Sequence, residues 1–143
     1  MQVQPYLFFN GRCEEAAEFY RQTLGAEVTM MMRFSEMPEF GADAVTPESG
    51  HMVPDSGHKI MHMSLQIGDI TVMASDGMGD GGPKFEGFSL SLTTADEAEA
   101  KRLFDLLAEG GQIKMPLSPT FWSPCFGSVT DKFGVSWLVT MVS

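Results

Sequence analysis

An aromatic, uncharged segment runs directly into an amphipathic one in residues 3–25, VQPYLFFNGRCEEAAEFYRQTLG. Its first part, Val3 to Phe9, is rich in aromatic residues, which indicates a buried β-strand. Asn10-Gly11 is typical of a turn, and the apolar residues after it recur at helical spacing, which predicts an α-helix from about Cys13 to Leu24. Gly25 follows the last apolar position and favours the end of that helix.

The same order of strand and helix recurs in the second half of the chain. Phe88 to Leu92 alternates apolar and polar residues as a strand does, and Thr94 with Glu97 predicts a capping box at the start of a second helix. In each half three more strands follow the helix: Glu27–Phe34, His62–Ile67 and Ile70–Ser75, then Gln112 toward Trp122, Phe126–Thr130 and Val135–Val142. The prediction is an α+β fold of two βαβββ modules around a curved mixed sheet, with a ligand cleft between the modules.

The length of 143 residues fits a single domain. We divide it into module 1 at about residues 1–76, a glycine-rich linker at 77–83 and module 2 at about 84–143. The segment 35–57 lacks periodicity and is rich in Pro and Gly. We expect this segment to be a lid over the cleft or a clasp across a dimer partner, and a passive surface insertion is the alternative.

The composition excludes several classes of partner. Acidic residues outnumber basic ones 19 to 9, and the net charge of −10 repels phosphate backbones and anionic lipid, so we expect neither nucleic acid nor a membrane as partner. No apolar run is long enough to span a membrane, and the N-terminus lacks the pattern of a signal peptide. We therefore expect a cytoplasmic protein with reduced thiols, although a pairing of Cys13 with Cys125 stays open.

Three histidines, His51, His58 and His62, lie close together in the sequence, near Asp55 and Asp76. They could form a metal site, but His58 and His62 would share a face only on a helix, and this segment is predicted to be a loop that enters a strand, so ordinary loop and strand histidines are the preferred interpretation. His62 opens a central strand, where it is either a general base that points into the cleft or a hydrogen-bonded structural histidine.

Aromatic side chains cluster at Phe121, Trp122 and Phe126. They either line an apolar pocket for a planar ligand or belong to the core. Pro119 and Pro124 make this segment irregular, and an irregular aromatic segment is typical of the edge of a cavity.

The order of elements resembles the vicinal oxygen chelate superfamily, which includes glyoxalase I, bleomycin- and fosfomycin-resistance proteins and extradiol dioxygenases. The resemblance is closest to its PhnB-like branch, often labelled "3-demethylubiquinone-9 3-methyltransferase-like", and covers nearly the whole chain. It rests on Tyr6–Gly11, Phe19-Tyr20 with Leu24-Gly25, Thr120–Trp122 and Phe126–Trp137. Methyl transfer itself is not expected, because the chain lacks a strand followed by a glycine-rich turn and a helix, where a doubly wound fold binds its cofactor.

The resemblance also implies where a metal would be held. The superfamily's divalent cation is bound by residues of the first and fourth strands of each module, and alignment places those positions at about Pro5, Met73, Phe88 and Leu138. None of these side chains is a hard oxygen or nitrogen donor, so we expect no metal at the usual site and no other cofactor.

The expected function is therefore metal-independent binding, with or without turnover, of a small apolar or aromatic metabolite in the cleft. His62 is the candidate catalytic base, and Ser89 is a further hydrogen-bonding group. A divalent-metal glyoxalase or dioxygenase and a non-catalytic ligand-sequestering protein are the alternatives. A homodimer is expected, because a curved sheet in so short a chain leaves edges to cover. The candidate substrate-binding residues are Met73, Ser75, Phe88, Phe121, Trp122 and Phe126.

Overall fold

A computed structural model describes residues 1–36, 58–77 and 84–142 of the chain. The chain divides into two compact units, Met1–Pro83 and Lys84–Ser143, and each is described by itself. The interpretations of His51, of Asp55, of nearly all of segment 35–57 and of most of the linker lie outside the described residues.

The first unit has one helix and a four-stranded sheet. Its elements are β1 (Tyr6–Phe8), α1 (Cys13–Leu24), β2 (Glu27–Arg33), a short 3₁₀ turn (Phe34–Glu36), β3 (Ile60–Ile67) and β4 (Ile70–Ser75). The strand order is β1-β4-β3-β2, with β1 parallel to β4 and the other pairs antiparallel. Helix α1 begins and ends where the sequence predicts, whereas β1 is shorter than the predicted Val3 to Phe9.

The second unit repeats this topology. Its elements are β5 (Leu90–Thr94), α2 (Glu97–Ala108), β6 (Gln112–Ser118), β7 (Phe126–Thr130) and β8 (Ser136–Met141). The strand order is β5-β8-β7-β6, and β5 again runs parallel to the last strand. The predicted α+β fold of two βαβββ modules is thus confirmed, as two four-stranded mixed sheets and two helices. Neither of the two described helices is long and apolar enough to cross a membrane.

The start of α1 is fixed by a carboxylate that directly follows β4, the strand paired with β1. Asp76 is buried, and its Oδ1 accepts hydrogen bonds from the backbone N–H groups of Gly11 at 2.6 Å and Cys13 at 2.8 Å. Its Oδ2 accepts a third from the N–H of Ile60 at 2.8 Å. The carboxylate therefore satisfies orphan donors at the helix N-terminus and ties the β1–α1 turn to the first residue of β3.

The start of α2 differs from the predicted capping box. The helix begins at Glu97 with Asp96 at the N-cap position, and Thr94 is the last residue of β5. Strand β5 runs two residues beyond the predicted Leu92, so Thr94 lies too early for a cap, and its hydroxyl donates to the carbonyl of Asp96 instead. The prediction was wrong because a local motif does not show where a strand ends.

Both cysteines are buried and free. Burial and the charges of Asp76 and Glu14 raise the pKa of the Cys13 thiol to about 12. Cys13 lies in the first turn of α1, where the helix dipole favours a thiolate, so desolvation and negative neighbours outweigh the dipole. Cys13 is therefore an unreactive thiol in the core of the first unit.

Candidate functional site

The two faces of the first sheet differ in burial. Leu7, Met63, Leu65 and Ala74 are buried on one face, and the residues that alternate with them lie on the opposite face. Cross-strand register brings this second set together, because residues directly opposite each other project from the same side of a sheet. We call it the open face, and it comprises Tyr6, Phe8, Met30, Met32, His62, Ser64 and Met73.

A chain of three polar side chains lies at the centre of the open face. The Tyr6 hydroxyl is 2.9 Å from Nδ1 of His62, and Nε2 of His62 is 3.2 Å from the hydroxyl of Ser64. The Tyr6 ring also lies 5.5 Å from the His62 ring and stacks on Phe8 at 5.1 Å, measured between centroids. We call these three side chains the relay. Because hydroxyls both donate and accept, the relay can keep its two hydrogen bonds with His62 neutral or protonated.

The phenol of Tyr6 keeps its hydrogen more tightly than a free tyrosine does. Burial raises the pKa of its phenol, the charge of Cys13 adds to the increase, and a hydrogen bond with Ser75 opposes it. The phenol can therefore donate to Nδ1 of His62, and in that arrangement the ring hydrogen of a neutral imidazole lies on Nε2 and is donated to Ser64. Tyr6 is 38% exposed, so an incoming molecule can reach its hydroxyl group. Neither Tyr6 nor Ser64 was among the site residues predicted from the sequence.

Apolar, flexible side chains surround the relay. Met30 is opposite Ser64 and Met32 is opposite His62 across the β2–β3 pair, while Met73 is opposite Tyr6 across the β1–β4 pair. Thioether side chains adapt to ligands of irregular shape and contact aromatic rings favourably. None of the residues that define the open face carries a positive charge. The face therefore offers apolar contact and neutral hydrogen bonding, with nothing that selects an anion.

The structure brings together some of the predicted site residues. His62 and Met73 share the open face, with Tyr6 in register with Met73 and hydrogen-bonded to His62. Ser75 is buried: its hydroxyl donates to the carbonyl of Ile60 at 3.2 Å and accepts from the N–H of Gly77 at 2.8 Å. Ser75 thus holds the end of β4 and contacts Tyr6, as a support for the relay.

The other predicted binding residues lie in the second unit. Trp122 is 5.3 Å from the ring of Phe126 and 4.7 Å from that of Phe121, whose side chain is 97% exposed. Phe88 is likewise exposed and lies 6.5 Å from the ring of Phe85. The hydroxyl of Ser89 is 2.6 Å from that of Ser136. A pocket that these residues share with His62 stays a prediction.

The strand register does not pair the four metal positions expected from the resemblance with one another: the residue opposite Met73 lies one residue after Pro5, and the residue opposite Leu138 lies three residues after Phe88. The residue opposite Met73 is Tyr6, not Pro5, whose carbonyl accepts from the N–H of Met73. The residue opposite Leu138 is Ser91, not Phe88, which lies before β5 begins. Alignment on a helix does not fix the register of a strand, and a shift by one or three residues turns a side chain to the other face.

The four residues that the register pairs, Tyr6 with Met73 and Ser91 with Leu138, do not fit a divalent cation of the superfamily's kind. A phenol, a thioether, a hydroxyl and an isobutyl group stand at these positions, and the set contains no carboxylate or imidazole. His58 is exposed, and Asp76 already accepts three backbone N–H groups. In residues 1–36, 58–77 and 84–142, no three His, Cys, Asp or Glu side chains converge as metal ligands would.

Nearly the whole chain is similar in sequence to known proteins. A family model described as 3-demethylubiquinone-9 3-methyltransferase matches residues 1–140. Protein YjdN from Escherichia coli (strain K12) is 42% identical over 99% of this chain and 96% of its own length.

Solved structures agree with this. Protein PA1353 from Pseudomonas aeruginosa is 42% identical with a TM-score of 0.82 over 99% of this chain and 98% of that one. The PhnB protein from Bacillus cereus is 26% identical with a TM-score of 0.78 over 99% and 100%. FosX, a fosfomycin resistance protein from Listeria monocytogenes, is 10% identical with a TM-score of 0.66 over 100% and 94%, which shows a shared fold only.

Proposed function

The chain belongs to the 3-demethylubiquinone-9 3-methyltransferase-like family that includes PhnB, and from that membership we propose that it binds a small apolar or aromatic metabolite on the open face of its first sheet. The observation that supports this is the Tyr6–His62–Ser64 relay set among methionines and Phe8. No step is assigned to a metal ion, because the donors at the expected positions do not suit one.

The relay also gives the site a means of turnover. Both nitrogens of His62 are occupied, so a substrate proton reaches it through the Tyr6 hydroxyl: Tyr6 takes the proton from the substrate as it passes its own to Nδ1. The imidazolium that forms keeps both partners, with Tyr6 and Ser64 as acceptors. Methyl transfer is not part of the proposal, because neither described sheet is a doubly wound parallel sheet. In a non-catalytic sequestering protein the same face would bind its ligand without this step.

The neutral aromatic alcohol 1-naphthol tests the site, because it can stack on the apolar face and hydrogen-bond to Tyr6. We expect Met73→Ala to weaken its binding about fivefold, by removal of apolar contact area. The matched control is Met31→Ala, since Met31 is opposite the buried Met63 and points away from the open face. Affinities are measured by fluorescence titration, and amide shifts in NMR spectra locate the probe.

Two outcomes would overturn the proposed site. One is equal loss of affinity in Met73→Ala and Met31→Ala, and the other is a set of perturbed amides that avoids β1, β3 and β4. Elemental analysis tests the metal-free part separately: one nickel, manganese, iron or zinc ion per purified chain would restore the glyoxalase- or dioxygenase-type alternative. A metabolite library screened for thermal stabilisation then identifies the ligand.

A homodimer is the second part of the proposal. The edge strands of the two described sheets carry exposed apolar side chains, Met30 and Met31 on β2 and Ile113 and Met115 on β6. Such edges invite pairing with another chain, and a second copy would cover them. Light scattering at micromolar concentration is expected to give the mass of two chains. A monomer mass would contradict the dimer and leave the ligand site untouched.

A further inference from the structure

A groove of about 530 Å³ lies within the second unit, between α2 and the segment from β6 to Cys125. Its apolar surface includes Phe104, Leu117 and the prolines Pro119 and Pro124, with Cys125 in its wall. The sequence predicts a cavity edge in this irregular segment. Pro119 and Pro124 of this segment line the groove, whereas Phe121 and Trp122 do not.

The groove has a local cause in the sequence. Strand β6 shifts register twice against β7, between Ile113 and Met115 and again between Met115 and Ser118. Pro116 lies in the second of these shifts and has no N–H to give to the ladder, so the strand departs from regular pairing there. Gly127 on β7 lets the neighbours approach: a Cβ at Gly127 would lie 2.9 Å from both Leu117 and Phe104.

The charged side chains along the groove are unequal in number. Two carboxylates, Glu97 and Asp105, and one cation, Lys101, line it. Lys101 pairs with Asp105 at 3.2 Å, and Glu97 has no ion-pair partner among the described residues. A bound carboxylate would meet one cation that is already paired and two like charges. A bound cation would meet the unpaired Glu97, and the net charge of −10 adds to this preference.

We propose that this groove binds an apolar molecule that carries one protonated amine, with the hydrocarbon part against Phe104 and Leu117 and the ammonium group beside Glu97. The site differs from the open face of the first sheet in residues, unit and charge. Its failure or success is therefore independent of the function proposed above.

Three probes of nearly equal shape test the proposal: protonated 2-phenylethylamine, neutral 2-phenylethanol and anionic 3-phenylpropanoate. We expect the amine to bind about threefold more tightly than the alcohol, as befits a partly exposed charge pair, and the carboxylate to bind more weakly than both. NMR titration of the whole chain gives the three dissociation constants, with the largest shifts expected at α2 and β6. The preference for the amine is expected to disappear in Glu97→Gln and to persist in the matched control Glu99→Gln, on the same helix but outside the groove.

Cys125 supplies a second readout. It is 6% exposed, and burial together with the charge of Glu97 raises the pKa of its thiol, so we expect slow alkylation by iodoacetamide at mildly alkaline pH. Bound amine is expected to slow alkylation of Cys125, and the peptide that contains Cys13 is the internal reference. Equal affinity for amine and carboxylate, no shift at α2 or β6 at millimolar amine, or the same loss in Glu97→Gln and Glu99→Gln would overturn the proposal.

Discussion

The two sheets share one strand order but present different chemistry on the face that their buried residues leave free. In the first sheet, that face carries the Tyr6–His62–Ser64 relay among methionines. In the second, the corresponding strands carry mostly hydroxyl side chains. Leu138 on β8 is flanked by Ser91 on β5 and by Ser128 on β7. The two modules therefore share a topology but not a functional site. The relay occurs in one module only, as expected when side chains of a site differ between two copies of the same fold.

The modules also differ in where each uses a buried aspartate. In the first, Asp76 ties the start of α1 to β3, as described above. In the second, Asp131 closes the β7–β8 turn: Oδ1 accepts from the N–H groups of Phe133 at 2.9 Å and Val135 at 3.1 Å, and Oδ2 accepts from the Trp137 indole at 2.9 Å. One carboxylate links distant segments, and the other organises a local turn.

The largest loss of stability is expected when Asp76, whose carboxylate joins distant segments, is replaced. Asp76→Ala leaves three backbone N–H groups without their acceptor, two of them in buried surroundings, and is expected to lower the free energy of unfolding by about 4 kcal/mol. Denaturant unfolding measures it. Asp69→Ala, at the exposed β3–β4 turn, is the control and should change stability by less than about 0.5 kcal/mol. Similar losses in the two variants would show that Asp76 has no special role.

A smaller effect is expected for the local carboxylate. Asp131→Asn keeps one acceptor oxygen and the shape of the side chain, but loses the charge and one of the two oxygens that serve Phe133, Val135 and Trp137. We expect a loss of about 2 kcal/mol on denaturant unfolding. A loss greater than that of Asp76→Ala would reverse the ranking of the two carboxylates.

The pH dependence of stability gives a further test of packing in the first module. The pKa of Cys13 rises from 9.0 to about 12 on folding, so the folded chain holds this proton more tightly than the unfolded one. The contribution is complete below pH 9 and is lost as pH rises toward 12, at about 1 kcal/mol per pH unit. Cys13→Ala should flatten the decline of stability between pH 9 and 10.5. An unchanged slope in that variant would mean that Cys13 is not the group responsible.

Much of this fold can be predicted from local sequence patterns. Much less of the candidate site can be predicted in this way. The bounds of α1 and the repeated order of elements follow from hydrophobic periodicity, because each helix or strand buries one face and the apolar residues recur on that face. The role of Asp76 does not, because its partners at Gly11, Cys13 and Ile60 come from three separate segments. Long-range hydrogen bonds leave no periodic signal.

The orientation of Tyr6 could have been predicted from the sequence but was not. It alternates with Leu7 and Phe9, both buried, so strand periodicity alone places it with Phe8 on the opposite face. Alignment to a family motif instead pointed to Pro5, one residue away. Neighbouring residues of a strand point to opposite faces of the sheet. The position therefore has to be assigned from the strand register and not from residue similarity.

The smallest predicted effect is on a hydrogen atom of His62. We predict that the Tyr6 hydroxyl donates to Nδ1, so that the ring hydrogen of the neutral imidazole resides on Nε2. Tyr6→Phe keeps the ring that stacks on Phe8 and removes only the hydroxyl, so stability should fall by less than about 1 kcal/mol. The ring nitrogens of His62 should then shift in ¹⁵N NMR spectra toward a mixture of tautomers, while those of His51 and His58 stay unchanged. Ser64→Ala removes the other partner and should leave the Nε2 tautomer in place through the remaining bond to Tyr6. An unaltered His62 spectrum in Tyr6→Phe would mean that the hydroxyl does not set the tautomer, and the route for a proton from Tyr6 to the imidazole would have to be abandoned.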